Sequence, residues 1–198
     1  MDGQDYLNQI SASARPNQKP RSGILSSPIF KVIIAGLIAF ILIVIVGNII
    51  TSNRVSIESR SVALKYRIDN TLEVISTYQP NVKSSALRSS SASLYSVLSN
   101  TSRDLTTYLT DKYNYKDNSS TYKTEADNAD LERDALESAL MNAKMGGILD
   151  QIYMSKFSYE ISAIMSEEAA IYHATSDHTL ESILSTSYSS LETLLPNF

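Results

Sequence analysis

The feature that most restricts what this chain can become is a run of nineteen uncharged residues, VIIAGLIAFILIVIVGNII, at positions 32–50. As an α-helix rising about 1.5 Å per residue, such a run spans roughly 28 Å, close to the ~30 Å hydrocarbon core of a bilayer. Asn48 is its only strongly polar side chain. A buried core helix would not need so many consecutive Ile, Val and Leu, so the segment 29–52 reads as a single transmembrane helix. Its apolar stretch exceeds the ~7–15 residues usual in a cleaved signal peptide, and the exit GNIITSN lacks a small-x-small cleavage pattern. An uncleaved signal anchor is therefore expected, with Lys31 snorkelling to the interface. Within the run, Ala35, Gly36 and Ala39 form a small-residue face of the kind that lets membrane helices associate.

The flanks set the expected orientation. Arg15, Lys19, Arg21 and Lys31 precede the run, and Arg54, Arg60, Lys65 and Arg67 follow it. The positive-inside rule leaves these nearly balanced, with a small bias toward an inside N-terminus. Residues 1–28 carry Pro16, Pro20 and Pro28 among scattered Ser, Gln and Asn, which reads as a disordered polar tail. The expected layout is a cytoplasmic tail, one membrane helix, and an extracytoplasmic domain over 53–198.

That domain shows helical period almost throughout. Ile57, Leu64, Ile68, Leu72, Ile75 and Tyr78 recur on one face until Pro80, where a helix must stop. A second helix is expected over 82–113, with Leu87, Leu94, Leu98, Leu105 and Leu109 inward, then a polar loop over 112–121. A third, over 122–145, places Ala129, Leu136, Leu140 and Ala143 inside and a dense acidic face outside. Gly146 and Gly147 weaken or break it. A fourth, over 148–174, offers Met154, Phe157, Ile161, Ile164 and Ile171. Thr175, Ser176 and Asp177 are capping types, and Leu180, Ile183, Leu184, Leu191, Leu194 and Leu195 suit a final helix. The fold class is all-α: a transmembrane helix followed by an up-and-down bundle of four or five helices.

Charge narrows the partners. A net charge of −4 argues against nucleic acid, which selects a basic face. Residues 54–123 hold ten Lys/Arg against six Asp/Glu, whereas 124–198 hold three against thirteen, so the two halves should attract each other as they pack. With no Cys in the chain, disulfides, thiol nucleophiles and cysteine zinc sites are excluded.

Both histidines lie in EEAAIYHATSDH, 167–178, beside several acids. A di-iron bundle needs Glu-x-x-His on two helices, but the residues three before His173 and His178 are Ala170 and Thr175. A zinc-protease pair would lie four apart, and these lie five apart. What survives as a metal-binding alternative is the set Glu167, Glu168, His173, Asp177 and His178. Glu168 alone falls near the apolar stripe of Ile161, Ile164 and Ile171. No GxSxG elbow or phosphate loop occurs in context, so neither an enzyme nor a cofactor is expected.

Two compositional biases point to contact surfaces. Tyr occurs twelve times and Trp never, and Tyr113, Tyr115 and Tyr122 bracket the second-to-third loop. Tyrosine adds contact area at low entropy cost, so these three are candidates for a partner or headgroup interface. The stretch KSSALRSSSASLYSVLSNTS, 83–102, is rich in small hydroxyls that let backbones approach closely. The leading expectation is a non-enzymatic, single-pass membrane protein presenting a bundle for interaction or assembly at the cell surface. Its partners would be the bilayer and another membrane or surface protein, with weak self-association through the membrane helix. The alternative is a ligand- or metal-binding bundle working with a separate membrane partner.

Overall fold

A computed structural model describes residues 56–117 and 119–198. The expected polar tail 1–28, the expected signal anchor 29–52 and its proposed association face Ala35, Gly36 and Ala39 lie outside the described residues. Among the described residues there are five α-helices and no strand: α1 Ile57–Tyr78, α2 Ser85–Tyr113, α3 Lys123–Met145, α4 Leu149–Tyr172 and α5 His178–Leu194. None of these helices is long and apolar enough to cross a membrane.

Local chemistry sets the boundaries. The Ser56 hydroxyl accepts from the Ser59 N–H and starts α1, and Pro80 ends it in a short 3₁₀ turn, Gln79–Asn81. The sequence pattern begins the second helix at 82, but Val82 is extended and buried. The helix starts at Ser85 because the Ser84 hydroxyl caps it, accepting from the Leu87 N–H. Asp150 in the first turn of α4 accepts from the N–H groups of Lys83 and Ser84 at 2.9 and 2.8 Å, tying the starts of α2 and α4 together. Asn114 ends α2 at φ 55°, a left-handed conformation that asparagine tolerates better than most residues. Gly147 does the same after α3, at φ 73°, and there any side chain would be strained.

Helix directions follow from the cross-links. Glu58 pairs with Tyr122, Asn70 with Asp130, and the Tyr78 hydroxyl donates to the Glu137 carbonyl, so α1 and α3 run parallel. Thr71 and Arg67 meet Glu160 and Glu167 in that order, so α4 is antiparallel to α1. Thr101 meets Ser187 and Lys112 meets Asp177, so α5 is antiparallel to α2. Helices α1, α2, α5 and α4 form a closed ring of packed neighbours, and α3 lies against α1 and α4.

The core fills that ring. All five stripe leucines of α2 are buried, with Leu64, Ile68, Val74 and Ile75 of α1, Phe157, Ile161 and Ile164 of α4, and Leu180, Leu184 and Leu191 of α5. Helix α3 buries only Ala129, Leu140 and Ala143, as its outer position requires; Leu136 is half-buried. One inward assignment is corrected. Met154 is 42% exposed and Tyr153 is fully buried in its place. Tyr153 lies four residues before Phe157, which lies four before Ile161, whereas Met154 falls about 100° around the helix from that line.

Candidate functional site

Two cations sit on α1 beside its apolar stripe, Lys65 buried and Arg67 partly buried. The Arg67 side chain is 12% exposed and its Nε and Nη2 donate to both oxygens of Glu160, at 2.7 and 3.0 Å. Its Nη1 reaches Glu167 at 2.8 Å and Glu132 at 3.1 Å. Burial alone would lower the Arg67 pKa; the hydrogen bonds and charge of Glu160, with Glu167 and Glu132, more than reverse it. Glu160 and Glu167 are two turns apart on α4, so one guanidinium bridges both while also holding α3. The attraction between the two halves of the chain is concentrated in this contact. Lys65 is the second such cation, bonded to Asp69 at 2.7 Å and Asp117 at 2.8 Å.

The loop tyrosines serve this inner network rather than the surface. Tyr115 and Tyr122 are buried, their rings 5.4 Å apart. Tyr115 donates to Asp117 at 2.6 Å and Tyr122 donates to Glu58. Tyr113 is half-buried against the core, edge-on to Tyr108 at 6.1 Å. For Tyr115 and Tyr122, an aromatic body inside with its hydroxyl on a charged acceptor satisfies both halves of the side chain. It also leaves little area for a partner.

The stretch 167–178 forms the joint between α4 and α5. Asp177 caps α5, accepting from Thr179 and Leu180, and pairs with Lys112 at 2.9 Å. His178, 96% exposed, meets Glu181 at 2.9 Å. His173 follows the end of α4, edge-on to Tyr172. Glu167 is taken by Arg67, and Glu168 faces the interior. The five residues of the metal-binding alternative are thus dispersed, and no group of three or more His, Asp or Glu able to hold a metal occurs among the described residues.

Glu168 is the unusual member. It is completely buried and neither carboxyl oxygen has a hydrogen-bond partner. Burial pushes its pKa up to about 8; the nearby Ser187 hydroxyl pulls it down without completing a hydrogen bond, and the charge of Glu167 pushes it further up. At neutral pH the carboxyl is mostly protonated. Beside it, Thr101 Oγ1 lies 2.9 Å from Ser187 Oγ and donates to the Val97 carbonyl at 3.0 Å. Thr101 is the donor toward Ser187 as well, and Ser187 makes no hydrogen bond with either Glu168 oxygen.

Helix α5 has a cleft on each side of this polar cluster. Against α2 lies a cavity of about 580 Å³ whose lining includes Asn100, Thr101, Thr186, Ser187 and Ser190. Against α4 lies a smaller cavity of about 270 Å³, lined by Glu168, Ala169, Tyr172, Leu184 and Tyr188, with His173 and two serines. The sequence signal for the cluster was polar residues at stripe positions: Thr101 between Leu98 and Leu105, Ser187 between Leu184 and Leu191, Glu168 between Ile164 and Ile171. All three are buried. No family, no curated protein and no solved structure matches this chain.

Proposed function

We propose that the chain is a single-pass, membrane-anchored protein that carries its helical bundle outside the cytoplasm and engages another protein there, without catalysis of its own. The apolar run at 32–50 supports the anchor; the flanking Lys/Arg, four on each side, tilt only slightly toward a cytoplasmic tail, because Lys65 and Arg67 lie further out. Alternating helix directions in the described residues fit the up-and-down topology that the short connections suggest.

The observation that carries the interaction reading is an exposed apolar cluster at the turn between α3 and α4. Met145 is 74% exposed, and Met141, Ile148 and Met154 are each exposed by more than two-fifths. Met141 and Met145 are one helical turn apart, and Ile148 follows at once. Because α3 runs parallel to α1, this cluster lies at the end of the bundle opposite Ser56. Flexible, polarizable methionines adapt to apolar partner surfaces. The fitting occupant is therefore a protein presenting an apolar patch.

Photocrosslinking tests this directly. A benzoylphenylalanine at Met145 or Ile148, in cells, should trap one defined protein, and the same probe at Lys116 near the other pole should not. Trapping should disappear when the partner gene is deleted. Equal trapping at both poles, or none at the tip, would remove the reading. A second reading, a ligand-binding bundle, is favoured by the unpartnered Glu168 beside a cleft.

A further inference from the structure

We propose that the cleft between α4 and α5 binds a small organic amine, its ammonium group held by the Glu168 carboxylate and its apolar part by Tyr172, Leu184 and Tyr188. The proposal rests on the second, ligand-binding reading and is independent of the α3–α4 tip.

The cleft holds about 270 Å³, below the ~300–1,000 Å³ of pockets for drug-sized ligands, so its occupant is small. Its walls are mainly aromatic and aliphatic: Ala169, Tyr172, Leu184 and Tyr188. Glu168 belongs to the cleft's lining, yet both its oxygens are inaccessible and without a partner among the described residues. Such a group costs free energy unless something pairs with it, and pairing with an amine includes a side-chain rotation that turns the carboxyl into the cleft. No lysine or arginine lines the cleft. Arg67 of α1 is committed to Glu160, Glu167 and Glu132. From α5 and α2 the neighbouring polar groups are the hydroxyls of Ser187 and Thr101, the second donating to the first, with Ser185 and Ser189 on the α5 wall and His173 after the end of α4. Among the described residues no lysine or arginine supplies a cation to Glu168, and the amine brings one from outside the chain.

The chemistry selects the class. An anion would meet Glu168 and Glu167. A metal ion would find one carboxylate and one imidazole, His173, among apolar walls, too few ligands for a stable site. An ammonium group finds the buried carboxylate, and tyrosine rings suit a cation. Because Glu168 is mostly protonated at neutral pH, binding an ammonium releases its proton to solvent. The acid ends ionised, the amine keeps its charge, and no bond other than the O–H breaks.

The test uses the full-length chain in detergent micelles with 2-phenylethylamine and its uncharged analogue 2-phenylethanol as probes, titrated calorimetrically at pH 7. The amine should bind at least tenfold more tightly than the alcohol, with proton release visible as a heat that depends on buffer. Glu168→Gln, an uncharged replacement of the same shape, should reduce amine affinity at least tenfold and abolish proton release. Micelle partitioning is common to both proteins and cancels. Ala169→Leu, which fills the cleft without touching the acid, should abolish binding of both probes. Equal affinities for amine and alcohol would overturn the proposal, as would an unchanged Glu168→Gln variant, an unchanged Ala169→Leu variant, or no amine binding at all. Crosslinking at Met145 is unaffected by either variant, so failure here is separate from failure of the protein-partner reading.

Discussion

Glu168→Gln should make the bundle more stable at alkaline pH and leave it nearly unchanged in acid. Folding moves the Glu168 carboxyl from an ordinary value of 4.5 to about 8, so between those values the folded chain holds a proton that the unfolded chain has lost. Stability therefore falls as pH rises, with no penalty below about 4.5 and the full penalty above about 8. At about 1.36 kcal/mol for each pH unit of that interval, the penalty approaches roughly 5 kcal/mol, and about 3 kcal/mol is already present at pH 7. Glutamine has nothing to titrate, so the variant escapes this cost while keeping shape and polarity. For a domain of this size the difference corresponds to a melting temperature higher on the order of 10 °C at pH 8.5, shrinking to a degree or two at pH 5. Urea unfolding followed by circular dichroism at both pH values reads it. Parallel pH profiles for the two proteins would refute the buried, unpartnered assignment of Glu168.

Other perturbations probe other joints. Arg67→Leu leaves the buried Glu160 unpaired and should cost about 3–5 kcal/mol in urea unfolding; a loss below about 1 kcal/mol, the ceiling for exposed pairs, would show that the network is solvated. Tyr115→Ser and Tyr122→Ser should each destabilise by about 2–4 kcal/mol, and crosslinking at Met145 should persist at temperatures where both variants remain folded. Asp177→Ala removes the cap of α5, so amide exchange at Thr179 and Leu180 should accelerate ahead of exchange in α2.

The helices were legible because their stripes are strong. Five leucines at four- and seven-residue steps identify α2, and Asp177 identifies the start of α5 by its chemistry. Boundaries failed where tertiary contacts intervene: Val82 matches the helical pattern but is extended, with the following amides bonded to Asp150 of α4. The burial of Tyr115 and Tyr122 was hidden for a related reason. Nothing local reveals that Tyr122 meets Glu58 or that Tyr115 shares Asp117 with Lys65; those partners exist only after α1 and α3 align. Glu168 was visible as an acid on an apolar stripe, but its burial without a partner depends on how α5 packs against α4, a contact between distant segments.

The central claim, a bundle held outside the cytoplasm by a membrane anchor, is open to one direct measurement because the chain has no cysteine. Single cysteines at Ser13 in the tail and at the exposed Met145 of the tip can be labelled on intact cells with a membrane-impermeant maleimide. The account predicts labelling of Met145→Cys on intact cells and of Ser13→Cys only after permeabilisation, with both forms sedimenting with membranes. Labelling of Ser13→Cys alone, or recovery of the protein in the soluble fraction, would contradict it.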